Sequence, residues 1–192
     1  MVTFSEAQVM AWITPWIWPF FRLMGLFTSA PVLSLKGIPR RVKMGLALLI
    51  VVAAQPSLPQ MPAIALNSPE ALMVIAQQVL IGLTLGFAAR VIFAAIEFAG
   101  ELVGLQMGLN FASFFDPMSG GQATAVSRFY GTCAAWLFIV MNGHLMLTAA
   151  VVRSFETFPI SAEPLAFLQV VQPQVWGAEI FKTGLWVALP VV

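Results

Sequence analysis

Residues 100–108 of the chain have the sequence GELVGLQMG, and residues 114–121 have the sequence FFDPMSGG. The first stretch is typical of a helix with glycine at every fourth position and a carboxylate beside the first glycine. The second stretch cannot continue that helix, because Pro117 lacks a backbone N–H and Gly120-Gly121 leaves the backbone angles free. An irregular apolar loop is tolerated at membrane depth only where protein or a cavity surrounds it. The two stretches therefore predict a helix inside a membrane assembly and a loop in its lumen.

The composition also indicates a membrane protein. Of the 192 residues, 60% are hydrophobic and only 9% are charged, whereas about 25% of an ordinary globular domain is charged. The net charge is +1 and no long basic run occurs, which argues against nucleic acid as a partner. A single cysteine, Cys133, provides no disulfide framework. We expect one all-α domain over residues 1–192, without a cofactor, and a natural polypeptide that continues beyond Val192.

Five apolar segments of unequal length follow one another, at about residues 9–30, 44–54, 71–109, 125–152 and from 175 onward. The second is well under the roughly 20 residues that span a bilayer, and the third is too long for one simple span. Several polar residues lie within or beside these segments: Arg22, Gln77, Gln78, Arg90 and Arg128. This pattern predicts kinked helical hairpins that pack on neighbouring protein rather than independent lipid spans.

Basic residues and tryptophans suggest how the chain meets the membrane. Four of the nine positive charges lie in one short loop: Lys36, Arg40, Arg41 and Lys43. The positive-inside rule places this loop in the cytoplasm and the proline-rich connector at residues 56–69 outside. The basic loop either marks topology alone or binds a partner. Three tryptophans, Trp12, Trp16 and Trp18, are most simply explained as markers of a membrane interface.

One face of the third segment carries glycines and charges together. At about 100° per residue, a narrow stripe of a helical wheel holds six residues: Arg90, Glu97, Gly100, Glu101, Gly104 and Gly108. The glycines permit close approach of another helix, and the acids require a partner. Two interpretations of Glu97 remain open, helix packing with a buried Arg90 ion pair or a titrating acid in proton-coupled transport. We reject a metal site, because no second histidine or Glu-x-x-His motif accompanies the acids.

An ordered set of motifs covers most of the chain: TSAPVLS at 28–34, PRRVK at 39–43, PSLP at 56–59, QQVLIG at 77–82, LGF at 85–87, GELVGLQMG at 100–108, FFDP at 114–117 and NGH at 142–144. On these motifs the chain resembles the FliR family of type III secretion export-gate proteins. The resemblance implies a structural and gating subunit of the flagellar export channel, in the bacterial inner membrane and the flagellar basal body. It further implies assembly with FliP and FliQ, FlhB at the cytoplasmic side, contact with membrane lipid, passage of unfolded export substrates and no catalytic step.

In this family the loop after the glycine–glutamate helix plugs the closed pore. The resemblance therefore implies a plug at about residues 110–124, with these gate residues: Phe111, Phe114, Phe115, Asp116, Pro117, Met118, Gly120 and Gly121. The phenylalanines and the methionine would make the apolar closure, and the two glycines would let it move. Arg90, Glu97 and Glu101 would hold the plug-bearing helix to its neighbours.

Three alternatives stay open from the sequence. The chain could serve the same machine in a virulence injectisome, with different cargo. It could be a self-contained secondary transporter with Glu97 as the coupling site, although no internal repeat is visible. An intramembrane enzyme has the least support, because no nucleophile motif occurs and His144 is the single histidine.

Overall fold

A computed structural model describes residues 6–34, 37–62, 64–108, 124–160 and 173–189, and all regular structure within these ranges is helical. This confirms the all-α prediction. The helices are α1 (Glu6–Ser29), α2 (Arg40–Ala54), α3 (Pro69–Gln106), α4 (Ala125–Val140), α5 (Gly143–Thr157) and α6 (Pro173–Ala188), and a short 3₁₀ helix (Gln55–Ser57) follows α2.

Proline and serine residues set the helix boundaries that position the rest. Pro39 precedes α2 with extended backbone angles, and Pro69 opens α3, where its missing N–H costs nothing. The side chain of Ser68 accepts a hydrogen bond from the backbone N–H of Ala71 at 3.2 Å. The third apolar segment thus forms one continuous helix of 38 residues, about 57 Å long. The fourth segment is the one that breaks, at Met141-Asn142, where Asn142 has a φ of 57°.

The chain divides into two compact units, Met1–Phe87 with His144–Val171 and Ala88–Gly143 with Gln172–Val192. The prediction of a single domain over residues 1–192 stays a prediction. The core of the first unit joins α1, α2 and α5 through eight buried residues: Leu23, Leu26, Phe27, Ala30, Ala47, Val51, Val151 and Phe155.

A second cluster in the same unit buries Trp18 against Ala71 and Val74 of α3. The indole of Trp18 is fully buried, whereas Trp12 and Trp16 are exposed. The prediction that all three tryptophans mark a membrane interface is therefore wrong for Trp18, which packs in the protein core.

Among the described helices, α3 alone is long and apolar enough to cross a membrane by itself. Helices α4 and α5 meet the same criterion only as a pair interrupted at the break between them.

Candidate functional site

The predicted plug at residues 110–124 follows α3, and a side chain of α3 holds its last residue. Helix α3 ends at Gln106, and Gly108 turns the chain with a φ of 72°, an angle that glycine adopts without a Cβ clash. At the other end, Thr124 caps α4 by accepting a hydrogen bond from the N–H of Ser127 at 3.2 Å. The N–H of Thr124 in turn donates to Oε1 of Glu101 at 3.0 Å. A carboxylate of α3 therefore holds the first residue after segment 109–123.

The helices on either side of this segment pack closely as an antiparallel hairpin. Gly100 is buried, and a Cβ built there would lie 2.7 Å from Cα of Ser127. The hydroxyl of Ser127 donates to the carbonyl oxygen of Glu97 at 2.9 Å. One turn further along α4, a Cβ on Gly131 would lie 3.1 Å from Oε1 of Glu97. The close contact of α3 and α4 thus depends on small residues on both helices.

The three glycines of the predicted stripe, Gly100, Gly104 and Gly108, differ in their position relative to α3. Gly100 and Gly104 are buried within α3, but Gly108 lies in the turn after the helix, so the expectation that it belongs to the packing face is wrong. A glycine outside the stripe also makes a close contact. A Cβ on Gly184 of α6 would lie 3.1 Å from the carbonyl oxygen of Ala95. The ring centroids of Phe98 and Phe181 are 5.2 Å apart.

The charges on α3 are more accessible than the sequence suggested. Arg90 and Glu97 are both exposed, and the carboxylate of Glu97 forms no ion pair with a described residue. The buried Arg90–Glu97 ion pair, one of the two interpretations, is therefore not formed. Glu101 is half-buried and bonded to Thr124.

Other predicted residues lie outside the described residues: Lys36, Phe111, Phe114, Phe115, Asp116, Pro117, Met118, Gly120 and Gly121. The rest of the basic loop is described, with Arg40 and Arg41 exposed and Lys43 half-buried in the first turn of α2. No group of three His, Cys, Asp or Glu residues comes together within the described ranges.

The first unit contains a buried arginine that joins three helices. The side chain of Arg22 in α1 is fully buried. Its Nε donates to Oε1 of Gln78 in α3 at 2.8 Å, and its Nη1 donates to the hydroxyl of Ser154 in α5 at 2.8 Å. Its Nη2 donates to the carbonyl oxygen of Phe158, just past α5, at 2.9 Å. The guanidinium carbon also lies 3.6 Å from the centre of the Phe155 ring.

These partners explain how a positive charge is tolerated without a carboxylate among the described residues near Arg22. Ser154 and Phe158 lie at the C-terminal end of α5, where the helix dipole is negative. The face of Phe155 adds a cation–π contact. Gln78 is itself bonded, because its Nε2 donates to Oε1 of Gln77 at 3.1 Å. Arg22 therefore caps α5 while it connects α1 with α3.

Glycines let α1 and α3 meet backbone to backbone beside Arg22. A Cβ on Gly82 would lie 2.9 Å from the backbone N of Leu26, and one on Gly86 would lie 2.7 Å from that of Ala30. These glycines belong to motifs that carried the family resemblance. The sequence singled out Arg22, Gln77 and Gln78 as polar residues in apolar segments, but it gave no sign that Arg22 and Gln78 are bonded.

Comparison with known proteins shows similarity along the whole chain. Residues 13–192 match the family described as Bacterial export proteins, family 1. The chain is 42% identical over 195 residues to the flagellar biosynthetic protein FliR of Pectobacterium carotovorum subsp. carotovorum, and equally to that of Escherichia coli (strain K12). Each of these alignments covers 100% of this chain and 73% of the relative. The FliR of Bacillus subtilis (strain 168) is 26% identical over 137 residues, which cover 71% of this chain and 52% of that protein.

Proposed function

The chain belongs to family 1 of the bacterial export proteins, with flagellar FliR proteins among its relatives, and we propose that it is a structural and gating subunit of the flagellar type III export channel. The similarity over the full length of the chain carries this proposal. The flagellar names of the relatives favour the flagellar machine over a virulence injectisome.

The partners of this subunit are FliP and FliQ in a hetero-oligomeric gate, with FlhB at the cytoplasmic side. The proposal is supported by the surface of α4, which exposes large apolar side chains in the isolated chain: Phe129, Trp136, Leu137, Ile139 and Val140. An apolar surface of this extent needs cover from protein or lipid. The gate lies in the bacterial inner membrane at the flagellar basal body, and unfolded export substrates pass through it.

Residues 110–124 form the plug of this gate. Support comes from its base, where Glu101 binds Thr124 and Gly100 packs on Ser127, because a loop held at both ends by packed helices is positioned by a rigid scaffold. Phe114, Phe115 and Met118 make the apolar closure, Gly120 and Gly121 give it freedom to move, and Phe111, Asp116 and Pro117 complete the loop.

The plug is tested by removing residues 114–121. The shortened chain is expected to assemble normally and to make the membrane leak small ions. A milder variant replaces Phe114, Phe115 and Met118 by serine, and its matched control, Ser113→Ala with Ser119→Ala, changes polar positions of the same segment. Unchanged ion permeability in both shortened and serine variants, with normal assembly, would contradict the plug.

The subunit has no catalytic step of its own, and other components supply the energy for export. The relatives are named as export and biosynthetic proteins. Glu97 serves at the packed surface between α3 and α4, where its carbonyl oxygen binds Ser127 and its side chain lies against Gly131. The alternative function, a self-contained secondary transporter, would require that the purified chain alone moves a solute across the membrane of liposomes.

The function itself is tested by complementation. An Escherichia coli strain without its own FliR should regain export of flagellar filament protein into the medium when it expresses the full gene for this chain. The matched negative control carries Gly100→Leu, which places a large side chain against Ser127. Normal membrane levels of the wild-type chain without any export would count against the proposed function in that host.

A further inference from the structure

Helix α2 has an unusual distribution of apolar and basic side chains. It packs against the core of the first unit through Ala47 and Val51, which are fully buried. Ile50 also packs against this core, but other large side chains are exposed, with Leu48 exposed by 50%, Leu49 by 67% and Val52 by 49%. Most of the circumference of α2 is therefore an apolar surface that the described part of this chain does not cover.

The basic residues lie at one end of this apolar surface. Arg40 and Arg41 are exposed, Lys43 is half-buried, and the first turn of α2 contains no acidic residue. None of the three forms an ion pair with a described residue. The positive end of the helix dipole lies at the same place, so the charges and the dipole add to one positive potential.

The chemistry of α2 favours lipid over protein as the covering partner. Residues 44–54 contain no hydroxyl, amide or charged side chain. Protein interfaces carry roughly one hydrogen bond per 100–200 Å², and this surface offers no side chain to form one. Acyl chains need no hydrogen bonds, and acidic phospholipid headgroups complement a cluster of basic side chains.

The length of α2 matches one leaflet of a bilayer. The uncharged stretch of α2, residues 44–54, is about 16 Å long at 1.5 Å per residue. This is about half of the roughly 30 Å hydrocarbon core, so the stretch covers the acyl chains of a single leaflet while the basic end reaches its headgroups.

We infer that α2 is a binding surface for acidic phospholipids of one leaflet, with Arg40, Arg41 and Lys43 at the headgroups and the exposed face of residues 44–54 along the acyl chains. This inference rests on the proposed membrane location of the export gate and adds a lipid class and the residues that select it. The basic loop then does more than set topology, because it recognises a headgroup.

The test uses the purified assembly that contains the full chain, stripped of lipid in detergent. The assembly is titrated with phosphatidylglycerol or with phosphatidylcholine of identical acyl chains, and native mass spectrometry measures the lipids bound. Wild type is expected to prefer phosphatidylglycerol. R40Q/R41Q should lower that preference by about 25-fold at low salt, because each basic side chain near an acidic surface contributes a factor of about 5.

The matched control is R153Q/K182Q, which removes the same charge from exposed positions of α5 and α6. The control should leave the preference unchanged, and salt should weaken the preference of wild type. Equal binding of both lipids by a wild-type assembly, or an equal loss in the control, overturns the inference and leaves the proposed function intact. A chain that never enters the assembly contradicts the proposed function instead. The same titration of the isolated full chain then tests whether it prefers phosphatidylglycerol.

A second measurement separates lipid from protein contact on the apolar face. Leu49→Cys, in a chain with Cys133→Ala, carries a fluorescent label in nanodiscs that contain the assembly. Brominated acyl chains should quench this label strongly. An unquenched label would mean that protein covers the face of α2, which overturns the inference.

Discussion

Replacement of the buried Arg22 is expected to destabilise the first unit strongly. The R22A variant removes three charge-assisted hydrogen bonds, to Gln78, Ser154 and Phe158, and one ring contact with Phe155. It leaves the side-chain oxygen of Gln78 and the carbonyl oxygen of Phe158 without these donors, together with a cavity. Loss of one partner from a buried charged cluster costs about 3–5 kcal/mol.

This free energy corresponds to a large change in thermal stability. For a chain of this size, 1 kcal/mol shifts the unfolding midpoint by about 2–4 °C, so R22A should unfold roughly 6–20 °C below wild type. The assay is thermal unfolding in detergent, followed by intrinsic tryptophan fluorescence, to which the buried Trp18 of the same unit contributes. The matched control is R153A, an exposed arginine beside Ser154, which should change the free energy of unfolding by less than about 0.5 kcal/mol.

Two further variants separate the hydrogen bonds of Arg22 from its packing. R22M fills much of the volume but donates no hydrogen bond, so it should be destabilised less than R22A. R22M/Q78L removes the acceptor that R22M leaves unpaired, but it also removes the donor to Gln77, so it should be about as stable as R22M. A midpoint for R22A within about 2 °C of wild type, or an equal shift in R153A, would show that the hydrogen bonds of Arg22 do not stabilise the first unit.

Substitutions at four other positions test local geometry by the same unfolding assay. Alanine stabilises a helix by about 1 kcal/mol relative to glycine, so Gly45→Ala, with open space around it, should raise the stability of the chain. Gly100→Ala should destabilise the chain by about 1–3 kcal/mol, because the added Cβ meets backbone atoms. Equal effects of the two substitutions would contradict the close contact at Gly100. Glu101→Ala should cost about 1–2 kcal/mol because Thr124 loses its acceptor, and Glu101→Gln, which keeps an acceptor oxygen, should cost less. Val32 has a φ of 63°, a strain of about 1–3 kcal/mol for a branched side chain, so Val32→Gly should raise the midpoint; a lower midpoint would show that no strain is relieved.

The sequence predicted the helical class and several of the boundaries because proline and glycine act locally. Pro69 lies where α3 begins and the end of α3 falls close to Gly108, whereas α2 begins at Arg40, before the apolar segment predicted from about residue 44. The break between α4 and α5 was not predicted, although Asn142-Gly143 carries the signal, since asparagine tolerates the left-handed φ found there. The break was missed because the sequence on both sides of it is apolar and was taken as one continuous segment.

The contacts of the candidate site were less predictable. Helical periodicity shows which residues share one face of a helix, but it does not show which element packs against that face. Glu97 of the predicted stripe is exposed, and Gly100 packs against Ser127, 27 residues further along the chain. The Arg22–Gln78 hydrogen bond joins residues 56 positions apart, and the bond from Arg22 to Ser154 joins residues 132 positions apart. Such pairs depend on tertiary packing, which local sequence patterns do not encode.

A subunit of the flagellar export gate must assemble with the other gate proteins, so co-assembly is the measurement that matters most for the proposed function. The full gene would be co-expressed with the FliP and FliQ genes of its source, and the detergent-extracted product weighed by native mass spectrometry. We expect a discrete hetero-oligomer that contains this chain. A lone chain or a homo-oligomer, while FliP and FliQ assemble without it, would contradict the proposed function.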